Sequence, residues 1–201
     1  MKTRLIPVLL VVAIIIGSCT KTDTKTITNV VTTIDSVTPI EMPVQSLITK
    51  GVEADSGYKV PLSLEVGNEF FASDSGVITK LGGLLTVKNL AYTVSLWDTT
   101  GGHLLAQTTI TTTDTTKFVY APITAVNISA NKRYMVTFNS SPSGSFLAYR
   151  HHTGASTVYP FSDGSITFTD AYYITSSTPI FPTTVQPSYL IPVDIVFQAV
   201  K

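Results

Sequence analysis

The chain has 201 residues, with 13 basic and 13 acidic side chains, and only 13% of it is charged, about half the usual quarter. No basic stripe breaks that balance, so the electrostatic drive for nucleic-acid binding is absent. A single cysteine rules out a disulfide within the chain, and the core alone must hold the fold.

The first element runs from Met1 to Cys19. Lys2 and Arg4 precede an apolar run from Leu5 to Ile16, and Gly17-Ser18 stand directly before the cysteine. A positive start, an apolar middle and a small-residue cleavage site describe a secretory signal. The apolar run, about 12 residues, is well short of the roughly 20 that a spanning helix needs. Ile16-Gly17-Ser18-Cys19 resembles the lipobox of bacterial lipoproteins. That resemblance implies cleavage before Cys19 and acylation of its thiol and new amino terminus, so membrane lipid is the first expected partner. Several acyl chains hold a protein stably where one holds it reversibly. Thr20, not Asp, follows the cysteine. By the same resemblance this points to the outer membrane of a Gram-negative envelope, with the periplasmic or outward face left open.

Residues 1–18 are therefore expected to be a signal peptide, and residues 19–45 an acylated cysteine and Thr-rich tether closed by Pro39 and Pro43. A short helix or strand over Ile27 to Val37 is a local alternative. As flexible chain, about 26 residues span a root-mean-square distance of roughly 28 Å. Residues 46–201 remain for the domain, about 155 residues, enough for one real core.

From Leu62 the pattern is short runs between turn residues. Leu62 to Phe71 alternates, with Leu64, Val66 and Phe70 on one face and Glu65 and Glu69 on the other. Further strands are expected at Val77 to Val87, Ala91 to Asp98, His103 to Ile110, Lys117 to Ala121, Arg133 to Asn139, Phe146 to Arg150, Ile166 to Thr175 and Ile191 to Val200. Thr99-Thr100-Gly101-Gly102 and Asn131-Lys132 read as turns. About nine strands, abundant Thr, Val, Tyr and Phe, and almost no helical period after Ile16 predict an all-β protein, an antiparallel β-sandwich. A closed barrel is the alternative.

The stretch Leu96-Trp97-Asp98-Thr99-Thr100-Gly101-Gly102-His103-Leu104-Leu105-Ala106 resembles a bacterial family known as domain of unknown function 4082. Phe71 to Leu81, Pro122 to Tyr134, Phe181-Pro182-Thr183, Tyr189 and Val193 to Phe197 fit the same order and spacing. The family usually carries a Trp before the Pro122 segment, where this chain has Lys117-Phe118. The resemblance implies an immunoglobulin-like sandwich, usually an accessory module of secreted or surface proteins, and supplies no activity.

No nucleophile elbow, zinc-protease helix or phosphate loop is present, so neither catalytic residues nor a metal or cofactor are expected. Glu65 and Glu69 would lie about 13 Å apart at strand rise, outside the roughly 5 to 9.5 Å of paired glycosidase carboxylates, and are read as a solvated face. Ligand contact is expected at Trp97, Tyr149, His151 and Tyr159, around the polar loop Tyr149 to Asp163. Asp194 interrupts an apolar strand and is expected to face water or accept bonds from a loop. Together these residues describe a non-catalytic envelope module that binds a carbohydrate or another surface ligand. Strand-to-strand pairing with an envelope protein through the Thr108 to Lys117 region is the alternative, and an envelope hydrolase the third.

Overall fold

A computed structural model describes residues 38–50, 58–149 and 159–200. The signal peptide, Cys19, the tether up to residue 37 and His151 lie outside these residues. Along the chain come β1 (Ile40–Glu41), α1 (Pro43–Lys50), β2 (Tyr58–Val60), β3 (Leu64–Ala72), β4 (Gly76–Leu84) and β5 (Tyr92–Asp98). Next are β6 (His103–Ile110), β7 (Phe118–Ile128), β8 (Arg133–Asn139) and β9 (Phe146–Ala148). The last are β10 (Phe161–Asp163), β11 (Ile166–Thr175), β12 (Thr184–Val185) and β13 (Val193–Ala199).

The fold is all-β, an antiparallel sandwich. One sheet has the order β1-β13-β4-β7; the other has seven strands, β10-β11-β3-β8-β5-β6, with β12 also pairing β11, and β2 forms a ribbon with β9. Period-two alternation builds the core between the sheets. Val66 and Phe70 of β3, Tyr92, Val94 and Leu96 of β5 and Val136 and Phe138 of β8 are buried, together with Ile78, Leu81, Ile195 and Phe197 of the smaller sheet. Phe70 touches Tyr134 and Phe168 at ring centroid distances of 5.9 and 5.6 Å. The turns match the sequence chemistry, since Gly101, Gly102 and Asn131 all have positive φ, a conformation that favours Gly and Asn.

There are thirteen strands among the described residues rather than about nine. The difference is in β1, β2, β10 and β12, two or three residues each, too short to carry a period. β7 is also longer than Lys117 to Ala121. It runs through Pro122 to Ile128, because it is an edge strand and an edge tolerates a proline.

The segment before residue 46 is the clearest correction. Thr38 to Gln45 is part of the domain, not tether. Ile40 and Glu41 pair with Gln198 and Phe197 of β13, and the Gln198 side chain donates to the Thr38 carbonyl at 2.8 Å. Pro43 opens α1, where its missing N–H costs nothing, and Val44 and Leu47 are buried against the sandwich.

Candidate functional site

Three of the four residues expected at a ligand surface are inside the protein. Trp97 is on the outward face of β5, as alternation requires, but is only 6% exposed. Its Nε1–H donates to Thr137 Oγ1 at 2.8 Å, and the Phe181 ring meets it edge-on at 6.0 Å. The cover is the stretch after β11. Ser176 accepts from Asn139 Nδ2 at 3.3 Å and from Ser141 Oγ at 3.1 Å, and β12 then returns to pair with Tyr172 and Tyr173 of β11. This strap crosses the outward face of the larger sheet. Tyr149 is buried and pairs with Leu190 as an isolated bridge. Tyr159 is buried, and its hydroxyl donates to Asn68 Oδ1 at 2.6 Å. Asn68 in turn donates to the Ile191 carbonyl at 2.8 Å, so Tyr159 serves the core's polar bonding and has no free face.

The two glutamates are not a solvated face either. Glu65 is fully buried; it accepts from the Thr137 hydroxyl and from Asn139 Nδ2 at 3.0 Å. Burial pushes its carboxyl up to about 7, with the two hydrogen bonds opposing. Glu69 accepts from Arg133 and from Thr169 Oγ1. Both carboxylates are engaged by neighbours on the same sheet.

Asp194 is fully buried on the outward face of the smaller sheet. Its Oδ1 accepts from the Val44 and Ile195 amides at 3.1 and 2.9 Å, and its Oδ2 from the Gln45 amide at 2.9 Å and the Tyr120 hydroxyl at 2.8 Å. It therefore supplies the N-terminal cap of α1 from 150 residues away, satisfying amides that a helix start leaves without partners. Burial raises its carboxyl to about 6 against these bonds. Tyr120 reaches it across Gly82, which lies between them in register. A Cβ at Gly82 would stand 2.4 Å from the Tyr120 ring, so only glycine leaves room for this contact. Four donors occupy its two oxygens, and among the described residues no group of three metal-ligating side chains exists.

Among the described residues an apolar pocket of about 310 Å³ is open; another, of about 300 Å³, lies beside α1 and Asp163. The inner face of the larger sheet is wider than the smaller sheet can cover. Over β3 and β11 the cover is the β2–β9 ribbon and the stretch around Gln186 to Ile191, and it is incomplete. Leu62, Phe146, Tyr173 and Tyr189 line the gap, with Gln186 beside them. Leu62 is 52% exposed at its mouth. A cavity of this size and lining suits a small ligand with an apolar face and one or two polar groups.

No curated protein matches the chain. The family model for "Domain of unknown function (DUF4082)" matches residues 52–190, a span that holds the buried Trp97 hairpin and, Ile191 apart, the lining of the apolar pocket. The chain belongs to the DUF4082 family.

Proposed function

We propose that this is a lipid-anchored protein of the outer membrane, attached through acylated Cys19, whose sandwich binds a small surface ligand without catalysis. The observation that carries the binding reading is the apolar pocket lined by Leu62, Phe146, Tyr173 and Tyr189. Its rings suit the apolar face of a carbohydrate or a comparable molecule, since an aromatic ring is a large rigid platform. Ligand contact thus moves from Trp97 and Tyr149 to this pocket. The lipobox-like Ile16 to Cys19 supports the anchor.

A glycan array with the mature chain, beside Leu62→Asp, tests the binding. Leu62 is half exposed, so the change charges the mouth without opening the core. Retention of a glycan by the parent chain and its loss in the variant is the expected result. Equal retention by both would remove the pocket from the reading, and no retention would remove carbohydrate.

A second reading has its own observation. Among the described residues β6 pairs with β5 alone and is the edge of its sheet. Its eight residues, His103 to Ile110, hold no proline and no Asp, Glu, Lys or Arg, the devices that usually guard an edge. An envelope protein could add a strand there. Gln107→Pro would abolish such a complex in a pull-down and leave glycan retention unchanged.

A further inference from the structure

Among the described residues six large apolar side chains are well exposed: Ile40, Leu62, Leu104, Leu105, Ile180 and Val185. Topology gathers four of them toward one end of the sandwich. The end is defined by the β3–β4 turn, the 129–132 turn and the β5–β6 turn, since Ala72, Gly76, Ile128, Arg133, Asp98 and His103 are the strand ends there. Leu104 stands opposite Trp97, next to this end, and Leu105 is the extra residue where the β5–β6 register shifts. Ile180 precedes Phe181, whose ring lies against Gly102 and Trp97. Ile40 pairs with Gln198, close to where β13 ends beside Gly76.

The chain enters the domain at this same end, because Thr38 is held by Gln198. Nineteen residues separate it from the end of the signal, Cys19 to Val37. A chain of that length reaches at most about 65 Å when fully extended, which keeps this end of the sandwich near the membrane. Among the described residues the basic side chains here are paired: Lys50 with Asp163, Lys132 with Asp98 and Arg133 with Glu69. Asp74 and Glu41 add negative charge, so the described part of this surface offers lipid an apolar contact.

We infer that the tether end of the sandwich rests on the bilayer through Leu104, Leu105 and Ile180. The inference rests on the proposed acylation of Cys19. Three side chains would not hold a free protein on a membrane. The anchor makes the contact intramolecular, and its effective concentration then suffices. The domain is thereby oriented, with the β5–β6 turn down and the Leu62 mouth, which precedes the opposite end of β3, away from the lipid.

The test uses the mature acylated chain in phosphatidylcholine vesicles, with an environment-sensitive fluorophore on His103→Cys and, separately, on Lys88→Cys in the loop at the far end. Acylation leaves Cys19 without a thiol to label, and mass spectrometry verifies it first. The expected result is emission shifted to the blue at 103, several-fold protection from aqueous iodide, and quenching by doxyl-labelled lipid, all absent at 88. High salt leaves this unchanged, and Leu104→Ser with Leu105→Ser restores iodide access. Equal iodide access at 103 and 88 in the acylated chain overturns the contact and leaves the anchor standing. Protection at 103 that vanishes as the protein-to-lipid ratio falls assigns the patch to a second copy and also overturns it. A mature chain without acyl mass overturns anchor and contact together.

Discussion

On the outward face of the smaller sheet Asp194 is buried beneath α1, and on the outward face of the larger sheet Glu65 is buried in the surface that the strap crosses. Both positions should meet water by strand alternation, and both carboxyls are raised by burial, to about 6 and about 7. The donors differ. Those of Glu65 come from Thr137 and Asn139, on the strand next to it. Two of the four donors to Asp194 are backbone amides of a helix 150 and 149 residues away. Glu65 is thus satisfied as soon as its sheet forms, whereas Asp194 is satisfied only when a distant segment docks. The one carboxylate belongs to a sheet; the other joins two parts of the chain.

Asp194→Ala should cause the largest effect. It strands the Tyr120 hydroxyl and two helix amides, each costing about 1–3 kcal/mol when buried without a partner. Urea unfolding should show a loss of about 3 kcal/mol or more, and hydrogen exchange should speed up across α1 ahead of the rest. Glu65→Ala should cost less and leave α1 protected. Equal costs with equal exchange would end the comparison.

The pH dependence follows from the same two groups. A folded-state carboxyl raised above its unfolded value holds its proton while the unfolded chain releases it. Its stabilising share is fully present below the ordinary carboxylate range and is lost as pH rises through the folded value. The midpoint of thermal unfolding should therefore fall as pH rises from about 4 through 6 to 7. Glu65→Gln should flatten the upper part of that slope, and Asp194→Asn the lower. Asp98 and Asp114 are lowered by Lys132 and by Thr116 and act in the opposite sense, below the ordinary carboxylate range. A midpoint that rises between pH 5 and 7 would contradict burial of these carboxyls. The smallest effect is expected at Tyr92, whose buried hydroxyl has no hydrogen-bond partner among the described residues. Tyr92→Phe should stabilise by about 1 kcal/mol, read in the same unfolding assay.

Much of this was legible in the sequence. His103 to Ile110, Arg133 to Asn139 and Ile166 to Thr175 are strands with the bounds that alternation predicts, because each packs one face on the core and ends at a turn residue. Alternation also put Glu65, Trp97 and Asp194 on the outward faces. It carries no information about what lies over a face, so the strap that buries Trp97 and the helix that buries Asp194 were both missed. Pro43, read as the close of a tether, was the available sign of α1, since proline is favoured at a first helical position. Its cap could not be found locally, because the capping side chain is Asp194. The pocket arises from the unequal widths of two sheets, which no single segment encodes.

The position of β13 sets a condition on how the protein is made. It lies between β1 and β4, joining the first described strand to the body of the domain, and it carries the cap for α1. A ribosome or a translocation pore delivers the chain from the amino terminus. Every residue from Thr38 onward must therefore wait for Val193 to Ala199 before the smaller sheet can close. A chain stopped short of Asp194 would keep its N-terminal segment unattached however much of the larger sheet had formed. Folding of this domain is consequently governed by contacts of very long sequence separation, which form slowly.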